Sequence, residues 1–309
     1  MMAIKVSVII PVFNGEITIE DALKSIFSQS YQNFEIIVCD DASTDDTQFR
    51  LSSFQDKRLI IIRNEKNLGP GLSRDRAMTL ATGEWITFID ADDLWDRERI
   101  EKLLSVVQHN PLLVAFDNLK LISDNNKYLG NLREDSAFNN LGQAKFIQII
   151  DLIKSPRMLI QPFFSKSLLD ISEAKHSHDS YGEDTFFLLR LLEKSGGLVY
   201  YPEPLYFYRV GHVSASSNPR KYILLAEILE KSISVFGDNK PVQDALMIKL
   251  KNINKGHIRY QFSSSLKSLN FALALNSLIK EPLVIWYFFK HNFNLSFLRI
   301  RRFFQKGDK

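Results

Sequence analysis

Three apolar runs in the N-terminal part of the chain end in the same way, and this repetition restricts the fold more than any other feature. Residues 5–10 run into Pro11-Val12-Phe13-Asn14-Gly15, residues 34–39 into Asp40-Asp41-Ala42-Ser43, and residues 85–89 into Asp90-Ala91-Asp92-Asp93. Between them, apolar residues recur at helical spacing, as in Ile19, Ala22, Leu23, Ile26 and Phe27. Strands alternating with helices predict an α/β fold, with a mostly parallel central sheet flanked by helices. Ligands bind such sheets beyond the carboxyl ends of the strands, so the three endings are expected to converge on one crevice.

The rest of the pattern extends this frame. Residues 58–62 read as a third strand, and Gly69-Pro70-Gly71 opens a helix over 72–81 with Gly83 as its C-terminal stop. An amphipathic helix is expected over 96–108, and residues 112–116 close the half. A helix is expected near 143–153. Another follows Glu183-Asp184 and stops at Gly196-Gly197. Beyond residue 212 the pattern is helical to the end. The expected division is a domain over 1–215, with halves of about 1–118 and 119–215, and a helical C-terminal extension over 216–309.

Charge is unevenly placed along the 309 residues. The formal charge is +3, but residues 267–309 hold eight bases and two acids, +6, which leaves −3 for the body. Aromatic and basic residues interleave in this tail, from Trp286 to Phe289 and from Arg299 to Phe304. The mixture suits an anionic membrane surface, and it equally suits helices packing on the main domain. Bases are sparse elsewhere, which argues against nucleic acid as a partner. The N-terminus lacks the marks of a signal peptide, and Cys39 is the single cysteine. No stretch reaches the ~18 apolar residues of a membrane span. A cytoplasmic location follows as an expectation.

The acids after residue 89 carry the chemical signal. Like charges raise one another's pKa unless something positive intervenes. Hard divalent cations take oxygen ligands and often carry a substrate's phosphates. The spacing of Asp90 and Asp92 lets both point the same way from an extended chain, which suggests a metal–diphosphate site. A plain acidic turn before the helix accounts for Asp93 or Asp96, but not for acids set against so apolar a strand. Arg74 reads as lying in the first turn of its helix, where a cation opposes the dipole; an anionic nucleotide would explain it.

Four blocks in series resemble the family 2 glycosyltransferases, which use nucleotide-sugars and a GT-A fold. They are residues 6–14; residues 29–45, with Asp40-Asp41-Ala42-Ser43-Thr44-Asp45; residues 67–75, continuing through 81–86; and Asp90-Ala91-Asp92, joined later by Glu183-Asp184. The resemblance implies Mn²⁺ or Mg²⁺ held by Asp92 and Asp90, with Asp90 also near the ribose. It places Asp40 and Asp41 at the base and ribose, and Pro11, Phe13 and Asn14 along the base pocket; Phe13 fits the core equally well. It implies Asp184 as the base of an inverting transfer and Glu183 as the group that orients the acceptor. Both also suit a helix N-terminus. His212 stands where relatives often carry a histidine near the metal. The implied donor is a nucleoside-diphosphate sugar, UDP first. The implied acceptor is a glycan or polyprenyl-linked saccharide of surface polysaccharide synthesis at the inner face of the membrane.

Two departures stand out. Ala42 replaces a usual glycine, so the turn must avoid positive φ or tolerate strain. Asp75 replaces a common asparagine beside Arg74. Two other classes remain open: a non-catalytic sugar-nucleotide-binding subunit and a metal-dependent phosphohydrolase. The latter is disfavoured because no acid follows the first strand.

Overall fold

At the centre of the sheet both faces are buried, so successive side chains of one strand enter two different apolar clusters. In β1 (Val6–Val12), the side chains of Val6, Val8, Ile10 and Val12 enter one apolar cluster, and Ile9 enters a second on the opposite face. The computed structural model describes residues 3–132, 143–156, 158–178, 181–211, 220–267, 271–281 and 283–284. His212 and residues 285–309 of the tail lie outside the described residues.

The chain continues through α1 (Ile19–Phe27), β2 (Phe34–Asp40), α2 (Thr47–Ser52), β3 (Leu59–Arg63), α3 (Pro70–Met78) and β4 (Trp85–Phe88). These strands pair in parallel in the order β3-β2-β1-β4. The chain steps outward from β1 to β3, then returns to the other side of β1. This reversal leaves a crevice at the carboxyl ends of β1 and β4, where residues 12–15 and 89–93 lie.

The second half contributes β5 (Leu94–Trp95), α4 (Arg99–Val107), β6 (Leu113–Ile122), β7 (Tyr128–Asn131), β8 (Lys145–Ile147), α5 (Ile149–Lys154), β9 (Phe163–Ser165), α6 (Lys166–Ser172), α7 (Glu183–Glu193) and β10 (Gly197–Arg209). Strand β9 inserts antiparallel between β4 and β6, and β10 lies parallel to β6, so this side of the sheet is mixed. The short β9 run, Phe163-Phe164-Ser165, is too brief for its periodicity to announce a strand.

Helices α8 (Lys221–Val235), α9 (Lys240–Lys267) and α10 (Phe271–Lys280) follow. Leu229, Phe236, Val242, Ala245 and Leu246 bury against Ile153 of α5 and Leu189 of α7, so α8 and α9 pack on the main domain. Among the described residues no helix is long and apolar enough to cross a membrane.

Gly83 has a different reason from the one its sequence suggests. Helix α3 ends at Met78, and a Cβ at Gly83 would lie 2.6 Å from the backbone nitrogen of Ser7. The glycine therefore permits close approach of two chain segments and does not stop a helix. Ala42 adopts φ 62°, so its turn tolerates the strain of the left-handed region.

Candidate active site

Hydrogen bonds between the loops build the crevice floor. Beyond β1, the Asn14 backbone N–H donates to Ser43 Oγ (2.9 Å), and Asn14 Oδ1 accepts the Thr44 N–H (2.8 Å). Asn14 takes positive φ, which asparagine tolerates better than most side chains. Pro11 is buried within β1, whereas Phe13, just beyond its carboxyl end, is 49% exposed and so does not belong to the core.

Asp40 and Asp41 turn inward. Asp40 accepts the Ser43 N–H and the Arg63 guanidinium, each at 2.9 Å. Asp41 accepts Asn64 Nδ2 (2.7 Å) and the backbone N–H groups of Leu68 and Gly69, both at 2.8 Å. Both carboxylates are buried, and donors of the chain itself engage them. Asp41 instead fixes the turn at Gly69, whose φ of 88° few other residues adopt, and with it the start of α3.

That helix carries Arg74 in its second turn rather than its first, because the helix begins at Pro70. The side chain is 3% exposed and points into the crevice, where Nη2 donates to Asp90 (2.5 Å) and Nη1 to Asp184 (2.6 Å). Burial works against its charge, but Asp184 and Asp90 outweigh it and raise its proton affinity further. The guanidinium thus meets carboxylates where its sequence position suggested a nucleotide, and it joins the loop after β4 to the first turn of α7.

The loop after β4 is braced from below. The Tyr206 hydroxyl donates to Asp93 (2.7 Å) and accepts the Asp90 N–H (3.1 Å). Arg209 supplies its backbone N–H to Asp93 and its Nε to the Asp92 carbonyl, both at 2.7 Å. Gln161 Nε2 reaches Asp90 at 3.3 Å. Beneath them, the fully buried Arg99 lies between the rings of Trp95 and Tyr206 and pairs with Asp117 at 2.9 Å. Tyr206, Arg209, Gln161 and Arg99 carry no motif signal, because their partners are remote in sequence.

Charge remains unbalanced in the crevice. Burial and the Asp90 and Asp92 charges push Asp93 well above the usual carboxylate range. Burial, with the Asp184 charge beside it, pushes Glu183 up to about 7. Burial also raises Asp90, although Arg74 opposes it. The donors after β4 are all oxygens, which suits a hard divalent cation. Among the described residues no three histidine, cysteine or acidic side chains form a complete metal cage. A cation at Asp90 and Asp92 would therefore complete its shell with a ligand's phosphate oxygens or water.

Known proteins share this framework. The Escherichia coli glucosyltransferase WfgD, named for UDP-Glc and α-D-GlcNAc-diphosphoundecaprenol, is 31% identical over 163 residues, 51% of this chain and 62% of that one. The Bacillus subtilis putative teichuronic acid biosynthesis glycosyltransferase TuaG is 33% identical over 120 residues, 38% of this chain and 48% of that one. The chain thus spans less than two thirds of the length of these two relatives. The crystal structure of Staphylococcus aureus TarS 1–349 with UDP-GlcNAc superposes with a TM-score of 0.71 at 22% identity, covering 91% of this chain and 81% of that one, which shows a shared fold. A family model described as glycosyl transferase family 2 matches residues 7–168, from β1 into α6. The match takes in the strand endings, Arg74 and the acids after β4, and the chain belongs to that family.

Proposed function

We propose that the protein is a metal-dependent, inverting glycosyltransferase. It would move a sugar from a UDP-linked donor to a hydroxyl of a glycan or polyprenyl-linked acceptor in surface polysaccharide synthesis. The observation that carries this reading is the arrangement around Arg74, which places Asp90 and Asp184 on one guanidinium at the sheet's carboxyl ends. The names of WfgD and of the TarS complex, which print UDP-Glc and UDP-GlcNAc, favour a UDP donor.

Asp90 and Asp92 would hold Mn²⁺ or Mg²⁺, which supplies neutralisation of charge on the departing diphosphate. Asp184, with its side chain 52% exposed, is open to an acceptor and would take the hydroxyl proton as general base. Glu183, which shares the first turn of α7, would orient the acceptor. Phe13 and Asn14 would border the nucleotide base.

The test is UDP release from UDP-glucose and UDP-N-acetylglucosamine with Mn²⁺ or Mg²⁺. Asp92→Ala and Asp184→Ala should each lose turnover, and wild-type rates in both would overturn the site. UDP affinity measured by calorimetry should collapse in EDTA. A sugar-nucleotide-binding subunit would keep that affinity but release no UDP with any donor or acceptor. For residues 267–309 we propose contact with anionic lipid at the inner face of the membrane. Its test is salt-sensitive vesicle binding that is lost when the chain ends near residue 265.

A further inference from the structure

Asp75 and His176 have no part in the reading above, yet they form a hydrogen-bonded pair beside the base. Asp75 follows Arg74 on α3, and His176 lies between α6 and α7. Asp75 accepts the His176 backbone N–H at 3.0 Å, and its Oδ1 lies 2.6 Å from ring Nδ1. A carboxylate that already accepts a backbone hydrogen offers only lone pairs, so Nδ1 carries the ring's hydrogen and donates it.

The ring cannot turn away. It stacks on Phe187 at 4.4 Å between centroids and 6° between planes, and Phe88 packs against it at 5.8 Å. Gly71 leaves the space, since a Cβ there would come within 2.8 Å of the His176 Cβ. The side chain is 0% exposed.

This clamp aims Nε2 at the candidate base. Nε2 lies 3.6 Å from Asp184 Oδ1, is buried, and has no hydrogen-bond partner. Leaving such a group unpaired costs about 1–3 kcal/mol. Two lone-pair atoms that face each other at this distance become partners once a proton lies between them. Among the described residues, the charged groups facing the ring are Asp75 on α3 and Asp184 on α7, with the rings of Phe88 and Phe187 packed against it.

We propose that His176, oriented by Asp75, is a positioning residue for Asp184: its Nε2 accepts the hydrogen bond of the proton that Asp184 gains during transfer. The proposal rests on the transferase reading. In the step, the acceptor O–H bond breaks and its oxygen forms the new bond to the anomeric carbon. The bond from that carbon to the diphosphate breaks, and its electron pair leaves with the diphosphate. The proton passes to Asp184, and the resulting O–H turns to Nε2, closing the 3.6 Å gap. Arg74 Nη1 donates to the same Oδ1 at 2.6 Å, so guanidinium and ring hold the base from two sides.

The experiment measures UDP release from UDP-glucose and UDP-N-acetylglucosamine, with water as the simplest acceptor, across pH 5.5–9 (a range chosen to bracket neutral pH). His176→Phe keeps the stacked ring and removes both nitrogens. It should lower kcat by roughly 10–100-fold, at or below the low end of the ~10²–10⁴-fold of direct general-base transfer because His176 acts through Asp184, with the donor KM within about twofold. The acidic limb of its kcat profile should move to lower pH, because protonated Asp184 has lost its acceptor. His176→Gln, which keeps an acceptor at that reach, should recover part of the rate. Asp75→Asn leaves the ring and its packing in place, and it should move the same limb by a smaller amount. It decides the question if His176→Phe fails to fold. Unchanged kcat profiles in the folded variants, or equal loss in kcat and donor binding, would overturn the proposal while the wild type stays active. A wild type inactive on every sugar donor would remove the transferase reading itself, and this role with it.

Discussion

One guanidinium joins the two halves of the candidate active site: Arg74 reaches Asp90 at 2.5 Å with Nη2 and Asp184 at 2.6 Å with Nη1. Replacing it with alanine leaves Asp90, 29% exposed, without its counter-charge while solvent screens the 52% exposed Asp184, so the cost should be about 1–2 kcal/mol of stability. Arg74→Lys keeps the charge but cannot span both partners, so UDP release should fall by at least ~100-fold with a smaller loss of stability. Melting temperatures and turnover, measured side by side, check both. A lysine variant with wild-type kcat would show that the bridge is dispensable.

Tyr206 ties the acidic loop to β10 through one hydroxyl. Tyr206→Phe removes the Asp93 partner at 2.7 Å and the acceptor for the Asp90 N–H. The expected destabilisation is about 1–3 kcal/mol, the penalty for stranding buried polar groups. UDP affinity in Mn²⁺ should weaken along with it, because the loop that carries Asp90 and Asp92 loses its brace. Urea denaturation and calorimetry on the same preparation report the two effects. Unaltered nucleotide binding in a destabilised variant would confine Tyr206 to the fold.

Glu183 makes stability depend on pH in a definite direction. Its pKa stands near 7 in the folded protein because burial and the Asp184 charge disfavour ionisation; the ordinary value is 4.5. Between those values the folded chain binds more protons than the unfolded one. The group's contribution is therefore fully present below about pH 4.5 and is lost as pH rises through 7. Glu183→Gln abolishes this loss, so the variant should gain on the order of 2 kcal/mol relative to wild type at pH 8 and little at pH 4.5. Urea midpoints at the two pH values measure it, and parallel shifts in both proteins would contradict the assignment.

Ala42 holds φ 62° in the turn after β2. A left-handed alanine costs roughly 1–2 kcal/mol, which glycine avoids while losing more freedom on folding. Ala42→Gly should stabilise the protein by about 0.5–1 kcal/mol with no change in turnover. Equilibrium urea unfolding tests this, and a destabilised variant would show that Ala42 gains more from its methyl contacts than it loses to strain.

The alternation of apolar runs and helical spacings determined the parallel half of the sheet, because both periods are written in neighbouring residues. The order of turn and acidic residues after each strand likewise marked the crevice, since parallel strands deliver their ends to one side. Sequence alone also singled out Ala42 and Asp75 as departures. What each of them does was decided by tertiary structure. Arg74 meets Asp184 across 110 positions, Asp75 meets His176 across 101, and Tyr206 meets Asp93 across 113. Asp41, which reads as a ligand group, faces Asn64, Leu68 and Gly69. Where a side chain ends up depends on how crossovers bring remote segments together and on which donors they leave buried. No local pattern records that.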